Sequence, residues 1–299
     1  MRLETKRKTV GILTALFRYL ILIGLSFLIL YPVAITLLIS FMKSSDIYDM
    51  SVRFISKNPT FENYKYSILF LDYFNTVGKS LLLNVLLCII EIFSCLFISY
   101  GFARFNFRFK NLFFGCVILT LIVPYSIYFA PLYFQFQSYG PFHWNLLSTP
   151  LPMFLLSFMG VGLKDGLIIY IMTQSFKGYP RALEEAAWVD GAGPFRVFTR
   201  IMLPGAFSVS FTCFMFAFVW KWTDPTYSEV FFPNEEFIWT KLMTIDSQFE
   251  LIGSLRSDYY LRAILRNASV VLYIIPLVIL FAICKRFLVE SVETTGLVG

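Results

Sequence analysis

Charge is scarce in this chain: Asp, Glu, Lys and Arg make up only 15% of its 299 residues. A soluble protein of that length needs far more polar surface, so the shortage excludes a water-soluble globular domain. Histidine occurs once, at His143, with no ligand partner at metal spacing. The five cysteines (Cys88, Cys95, Cys116, Cys213 and Cys284) form no C-x-x-C pair and sit in apolar runs, where they read as small buried hydrophobes. No G-x-x-x-x-G-K-[ST] sequence is present, so nucleotide is not held here by a P-loop. Nucleophile-elbow and phosphate-cradling patterns are also missing, and no basic run with interleaved aromatics lies in a soluble segment. An enzyme and a nucleic-acid binder are both disfavoured.

What the chain has is apolar length. Hydrophobic residues make up 58%, which predicts an all-α polytopic membrane protein. Six spans are expected, at about Tyr19–Met42, Ser80–Ala103, Leu112–Phe136, Ser148–Phe176, Gly205–Trp220 and Leu265–Ile283. The first follows Arg2, Lys6, Arg7, Lys8 and Arg18 like a signal peptide, but its length predicts an uncleaved helix. Pro32 should kink it. Lys43–Val77 and Trp222–Arg266 read as mixed polar loops.

Loop charges orient the spans. The N-terminus, the 101–111 loop, the 177–204 stretch and the tail hold Arg104, Arg108, Lys110, Lys177, Arg181, Arg196, Arg200, Lys285 and Arg286 besides the N-terminal cations. The opposite side is acidic, with Asp224, Glu229, Glu235, Glu236, Asp246, Glu250 and Asp258. The positive-inside rule places both termini in the cytoplasm. The expected organisation is a cytoplasmic N-terminus over 1–18, one transmembrane domain over 19–284 and a cytoplasmic tail over 285–299.

One polar stretch between apolar runs stands out, YPRALEEAAWVDGAGPFRVFTRIMLP from Tyr179 to Pro204. Pro180 and ALEEAAWV favour a short helix, Gly191, Gly193 and Pro194 break it, and Phe195–Met202 resumes. Glu185-Ala186-Ala187, three residues, Gly191, nine residues and Ile201-Met202-Leu203-Pro204 resemble the EAA signature of permease subunits of bacterial ABC importers. Flanking Phe176, Pro180, Leu183, Glu184, Asp190 and Phe198 resemble the carbohydrate, maltose-permease-like branch. So do Gly101-Phe102-Ala103-Arg104-Phe105, Val219-Trp220-Lys221-Trp222-Thr223-Asp224 and the closing Thr295–Gly299.

The resemblance implies that residues 178–204 form a cytoplasmic helical coupling loop. Glu184, Glu185, Ala186, Ala187, Asp190, Gly191, Ile201, Leu203 and Pro204 would engage a separate ATPase, small residues allowing close approach and acids offering polar contacts. It implies no cofactor on this chain, with ATP and Mg on a dimer of ATPase subunits. A second permease, by family habit a different chain, and an extracytoplasmic solute-binding protein complete the assembly in the bacterial cytoplasmic membrane. The cargo would be a sugar or oligosaccharide.

Polar residues in the spans are candidates for the substrate pathway, because charge in a bilayer is costly and faces a cavity or a partner. These are Lys164 and Asp165 beside Gly160, Gly162 and Gly166, an expected helix interruption, with Glu91 and Asn84 on one face of the second span. Tyr125, Trp220 and Trp222 add aromatic faces suited to sugars; interfacial packing is the competing role. Two other classes compete with the importer: an ion-coupled secondary transporter or channel, and a membrane enzyme. An importer of a non-sugar solute is the alternative within the class.

Overall fold

The computed structural model describes the backbone of residues 2–49, 51–52, 55–251 and 258–296, with side chains from residue 11 to 285. The side chains of Arg2, Lys6, Arg7, Lys8, Arg286, Ser291 and Thr295, and all of Leu297–Gly299, lie outside the described residues. Among the described residues there is no β-strand, only an isolated antiparallel bridge between Tyr139 and Trp144.

Long apolar runs form long helices because a lipid-facing backbone must satisfy its own hydrogen bonds. Among the described residues three helices are long and apolar enough to cross a membrane: residues 11–40 within α1 (Arg2–Ser40), all of α4 (Tyr73–Arg104), and residues 259–285 of the last helix. Two bent pairs bring the number to as many as five.

The first pair corrects the expectation of one helix over 112–136. It is α5 (Lys110–Ile122) and α6 (Tyr125–Gln137), bent by 105°. Val123 is extended at ψ 118 because a following proline disfavours the helical region, and Pro124 then caps α6. The fourth apolar run is interrupted where glycines clustered: α7 (Leu151–Phe158) stops and α8 (Asp165–Gly178) starts after Lys164 at φ +62.

Then come α9 (Arg181–Val189), α10 (Pro194–Val197), a π-helical turn over Phe198–Met202, α11 (Leu203–Gly205) and α12 (Phe207–Thr223). The 194–205 and 207–223 stretches meet at 70°, the second bent pair. The two expected polar loops are largely helical. They carry α2 (Ser44–Tyr48), α3 (Glu62–Leu71), α13 (Thr226–Phe231) and α14 (Ile238–Glu250), and α15 (Tyr259–Gly296) closes the chain.

The chain divides into two compact units, residues 1–73 with 242–275 and residues 74–241 with 276–299. In the first, Asn63 Nδ2 donates to the carbonyls of Ser40 and Met42, at 2.8 and 2.9 Å. Ser67 donates to the Leu265 carbonyl, and Phe70 meets Phe249 edge-on. In the second, α4 buries Leu87, Cys88 and Cys95, α8 buries Ile168, Ile169 and Phe176, and α12 buries Cys213 and Phe218. Ser99 reaches across from α4 to the Ile169 carbonyl on α8. A Cβ added to Gly166 would lie 2.9 Å from the Val117 carbonyl, so α5 and α8 approach to backbone distance there. Cys116, unlike the other four cysteines, is exposed.

Candidate functional site

Residues 178–205 form a helix–turn–helix element whose boundaries follow from local chemistry. Pro180 is extended and starts α9. At its end the Gly191 amide donates to the Trp188 carbonyl and the Ala192 amide to the Ala187 carbonyl, at 3.0 and 2.9 Å. That is the Schellman stop, with Gly191 at φ +77 supplying the left-handed residue it needs. Gly193 and Pro194 restart the chain as α10.

The element has an inner and an outer face. On the inner face Glu184 pairs with Arg104 at the end of α4 at 3.0 Å, with side chains 5% and 6% exposed. Arg104 Nη2 also donates to the Tyr179 carbonyl at 2.8 Å, and the Tyr179 hydroxyl donates to the Gly205 carbonyl. Phe198 is buried against Phe97 and Tyr100, with ring centroids 4.9 and 4.8 Å away. The stretch is therefore braced to α4 by a buried ion pair and aromatic packing. Within it, Tyr179 links the start of α9 to the end of α11.

On the outer face Glu185, Ala186, Asp190 and Gly191 are exposed. Around them stand large apolar side chains without cover: Trp188 is 52% exposed, Phe195 71% and Val189 87%. Ala187, Ile201 and Leu203 are half-buried, and Pro204 is exposed. Of two consecutive glutamates, one is committed inside the chain and the other is free for a partner. Sequence reasoning grouped them, and it missed Arg104 and Tyr179 as the inner anchors.

The second concentration of polar groups lies among α4, α8 and α12. Glu91 and Lys221, each the lone charge of an apolar run, are both buried and form an ion pair in which Lys221 Nζ donates to Glu91 Oε2. Asp165, 1% exposed at the start of α8, accepts the Gly162 amide at 2.6 Å and faces the Glu91 carboxylate. Among the described residues no other group donates to Glu91 Oε1 or Asp165 Oδ1. Lys221 thus pairs with Glu91, and Asp165 lies near enough for its charge to interact with both.

Lys221 carried no site assignment from the sequence. Its signal was available: an isolated cation and an isolated anion in separate apolar spans are each expensive alone. Asn84 is buried beside this cluster and, with Lys221, Asp224 and Trp239, lines a cavity of about 20 Å³.

Lys164 and Asp165, adjacent in sequence, part company. Lys164 is exposed, with its ammonium 4.6 Å from the ring centroid of Trp220, a cation–π contact. It opens onto a cavity of about 440 Å³ lined also by Thr120, Tyr128, Pro131 and Asp165. Tyr125 is partly exposed near Phe129, outside that lining. Trp222 is fully buried, stacked on Phe218 and edge-on to Trp239, which is a packing position. Among the described residues no three of His, Cys, Asp and Glu are grouped to hold a metal ion.

The chain has known relatives. Residues 95–293 match the family described as the binding-protein-dependent transport system inner membrane component. The alpha-glucoside transport system permease AglG of Rhizobium meliloti is 28% identical over 75% of this chain and 57% of its own length. The arabinooligosaccharides transport system permease AraQ of Halalkalibacterium halodurans is 23% identical over 98% of this chain and all of its own. In three dimensions the chain superposes on one from a bacterial ABC transporter that imports the acidic polysaccharide alginate. The TM-score is 0.73, at 17% identity, covering 92% of this chain and 96% of that one.

Proposed function

The chain belongs to the family of binding-protein-dependent transport system inner membrane components, and from that premise we propose that it is the permease subunit of an ATP-driven importer of a sugar or oligosaccharide. As an inner-membrane component it is a multi-pass membrane protein. Six spans with both termini cytoplasmic are proposed, the broken α7–α8 pair supplying the span beyond the five that length and composition support. Residues 19–284 form the transmembrane domain between the cytoplasmic segments 1–18 and 285–299. Partners are a dimer of ATPase subunits that bind ATP and Mg, a second permease of different sequence, and an extracytoplasmic binding protein. The saccharide cargo rests on the sugars named for AglG and AraQ and on the alginate importer.

The observation that carries the reading is the two-faced 178–205 element. Exposed Trp188, Val189 and Phe195 around Glu185 form an apolar surface with an acidic contact, the composition of a protein docking site. Its inner face transmits what the outer face receives. Displacing α9 pulls on α4 through Arg104–Glu184 and on α11, which leads into α12, through Tyr179–Gly205.

Thirteen residues up α4, about 20 Å at 1.5 Å per residue, Glu91 meets Lys221 of α12. The two helices are therefore tied at two heights and move together. The Lys221–Glu91–Asp165 cluster places that motion beside the α7–α8 break and the Lys164 cavity. In the cycle, the binding protein delivers cargo outside and ATP closes the ATPase dimer. The coupling element tilts α4 and α12 to open the pathway outward, and hydrolysis resets it inward.

Cross-linking tests the docking. Val189→Cys, in a Cys116→Ser background, is expected to cross-link to the ATPase subunit in the assembled complex, with a yield that changes on adding ATP. Cross-linking to the binding protein instead, or to neither, would refute the docking.

A further inference from the structure

Next to the 178–205 element lies a basic and aromatic patch. In Phe105–Lys110 the sequence alternates aromatic and polar residues, FNFRFK. Phe105, Phe107, Phe109 and Phe113 are all exposed, between 43% and 57%. Arg108 lies over the Phe109 ring at 4.9 Å, and Lys177 over the Phe114 ring at 5.4 Å. Lys110 is near enough to Lys177 and Arg181 for their charges to interact. Among the described residues none of these four cations has a salt-bridge partner, and the nearby Glu184 is taken by Arg104. Lys110 is also the first residue of α5, so the positive end of the helix dipole adds to the like charges instead of offsetting them.

Among the described residues Lys110 Nζ is held only by the Phe105 carbonyl, at 2.8 Å. Four cations without a carboxylate partner among those residues call for an anion, and the exposed phenylalanines around them call for hydrocarbon. A phospholipid with an anionic headgroup supplies both. We propose that Arg108, Lys110, Lys177 and Arg181 form a binding site for the phosphodiester headgroup of an anionic phospholipid, whose acyl chains pack on Phe105, Phe107 and Phe109. The site requires that the chain sit in a bilayer and nothing about its cargo. Because Lys177 ends α8 and Arg181 begins α9, an occupied site also tethers the coupling element to the membrane surface. Anionic lipid then supports coupling.

The test uses the assembled transporter in phosphatidylcholine nanodiscs with and without phosphatidylglycerol, scoring co-retained lipid by native mass spectrometry and substrate-stimulated ATPase. Each cation at an anionic surface is worth roughly fivefold in affinity. Lys110→Gln with Lys177→Gln should therefore cut phosphatidylglycerol retention about 25-fold and flatten the dependence of ATPase on that lipid. Lys110→Arg with Lys177→Arg should keep both, which separates lost charge from lost folding. The site is refuted if the Gln variant retains the lipid as the parent does. It is equally refuted if that variant sheds its ATPase subunits in lipid-free detergent, since the patch would then be a protein interface. Inorganic phosphate replacing the effect of phosphatidylglycerol would also refute it, as a site for a free anion.

Discussion

Gly191→Asp is expected to abolish substrate-stimulated ATP hydrolysis in the reconstituted transporter while the chain still inserts and assembles with its second permease. Gly191 sits at φ +77 in the Schellman stop, and a Cβ there meets nothing within 4 Å of its own chain. The intrinsic cost of a side chain is therefore about 1–2 kcal/mol of backbone strain, which aspartate tolerates better than most residues. The larger effect falls on the partner. A carboxylate would project from an exposed face that already carries Asp190 and Glu185, where close approach requires a small surface. Loss of a central interface contact costs at least about 2 kcal/mol, roughly thirtyfold in affinity. Glu185→Arg should match it by reversing an exposed charge, with no internal partner to lose. Stimulated ATPase measured on both variants checks the claim; retained coupling in both would remove the docking role from this element.

Lys221→Met is expected to be the most destabilising substitution in the membrane region, and Glu91→Gln a milder one. Removing one partner of a buried ion pair costs about 3–5 kcal/mol, because the other charge is left without compensation. Lys221→Met leaves the buried Glu91 carboxylate without its ammonium and facing Asp165. Glu91→Gln keeps a polar group against Lys221, with Asp165 near enough for its charge to interact with the ammonium. Thermal unfolding in detergent should therefore rank parent above Glu91→Gln above Lys221→Met. The opposite order would mean that Asp165 does not compensate the Lys221 charge.

The sequence made the helix–turn–helix over 178–205 legible because its signals are strong and local. Proline starts α9, glycine stops it, and the spacing of Glu185, Gly191 and Pro204 is long enough to be specific. The α7–α8 break was equally visible in Gly160, Gly162 and Gly166. Other features needed three dimensions. Val123-Pro124 marks a turn, yet nothing local sets a bend of 105°. The helices α2 and α13 span five and six residues, too few for a periodicity to be read, and α3 and α14 lie inside stretches whose composition reads as polar loop. Glu184 and Glu185 look interchangeable in a string of letters; only Arg104, eighty residues earlier, assigns one inward. Trp220 and Trp222 had the same appearance, but one lies against Lys164 and the other is sealed behind Phe218 and Trp239.

The central claim is that this chain moves its cargo only when an ATPase drives it through residues 178–205. Saccharide uptake into proteoliposomes measures that directly, comparing the chain alone with the assembly of both permeases, ATPase and binding protein. Uptake should require ATP on the ATPase side together with the binding protein, disappear with Gly191→Asp, and ignore proton or sodium gradients. Gradient-driven uptake by the chain alone, without nucleotide, would contradict the account.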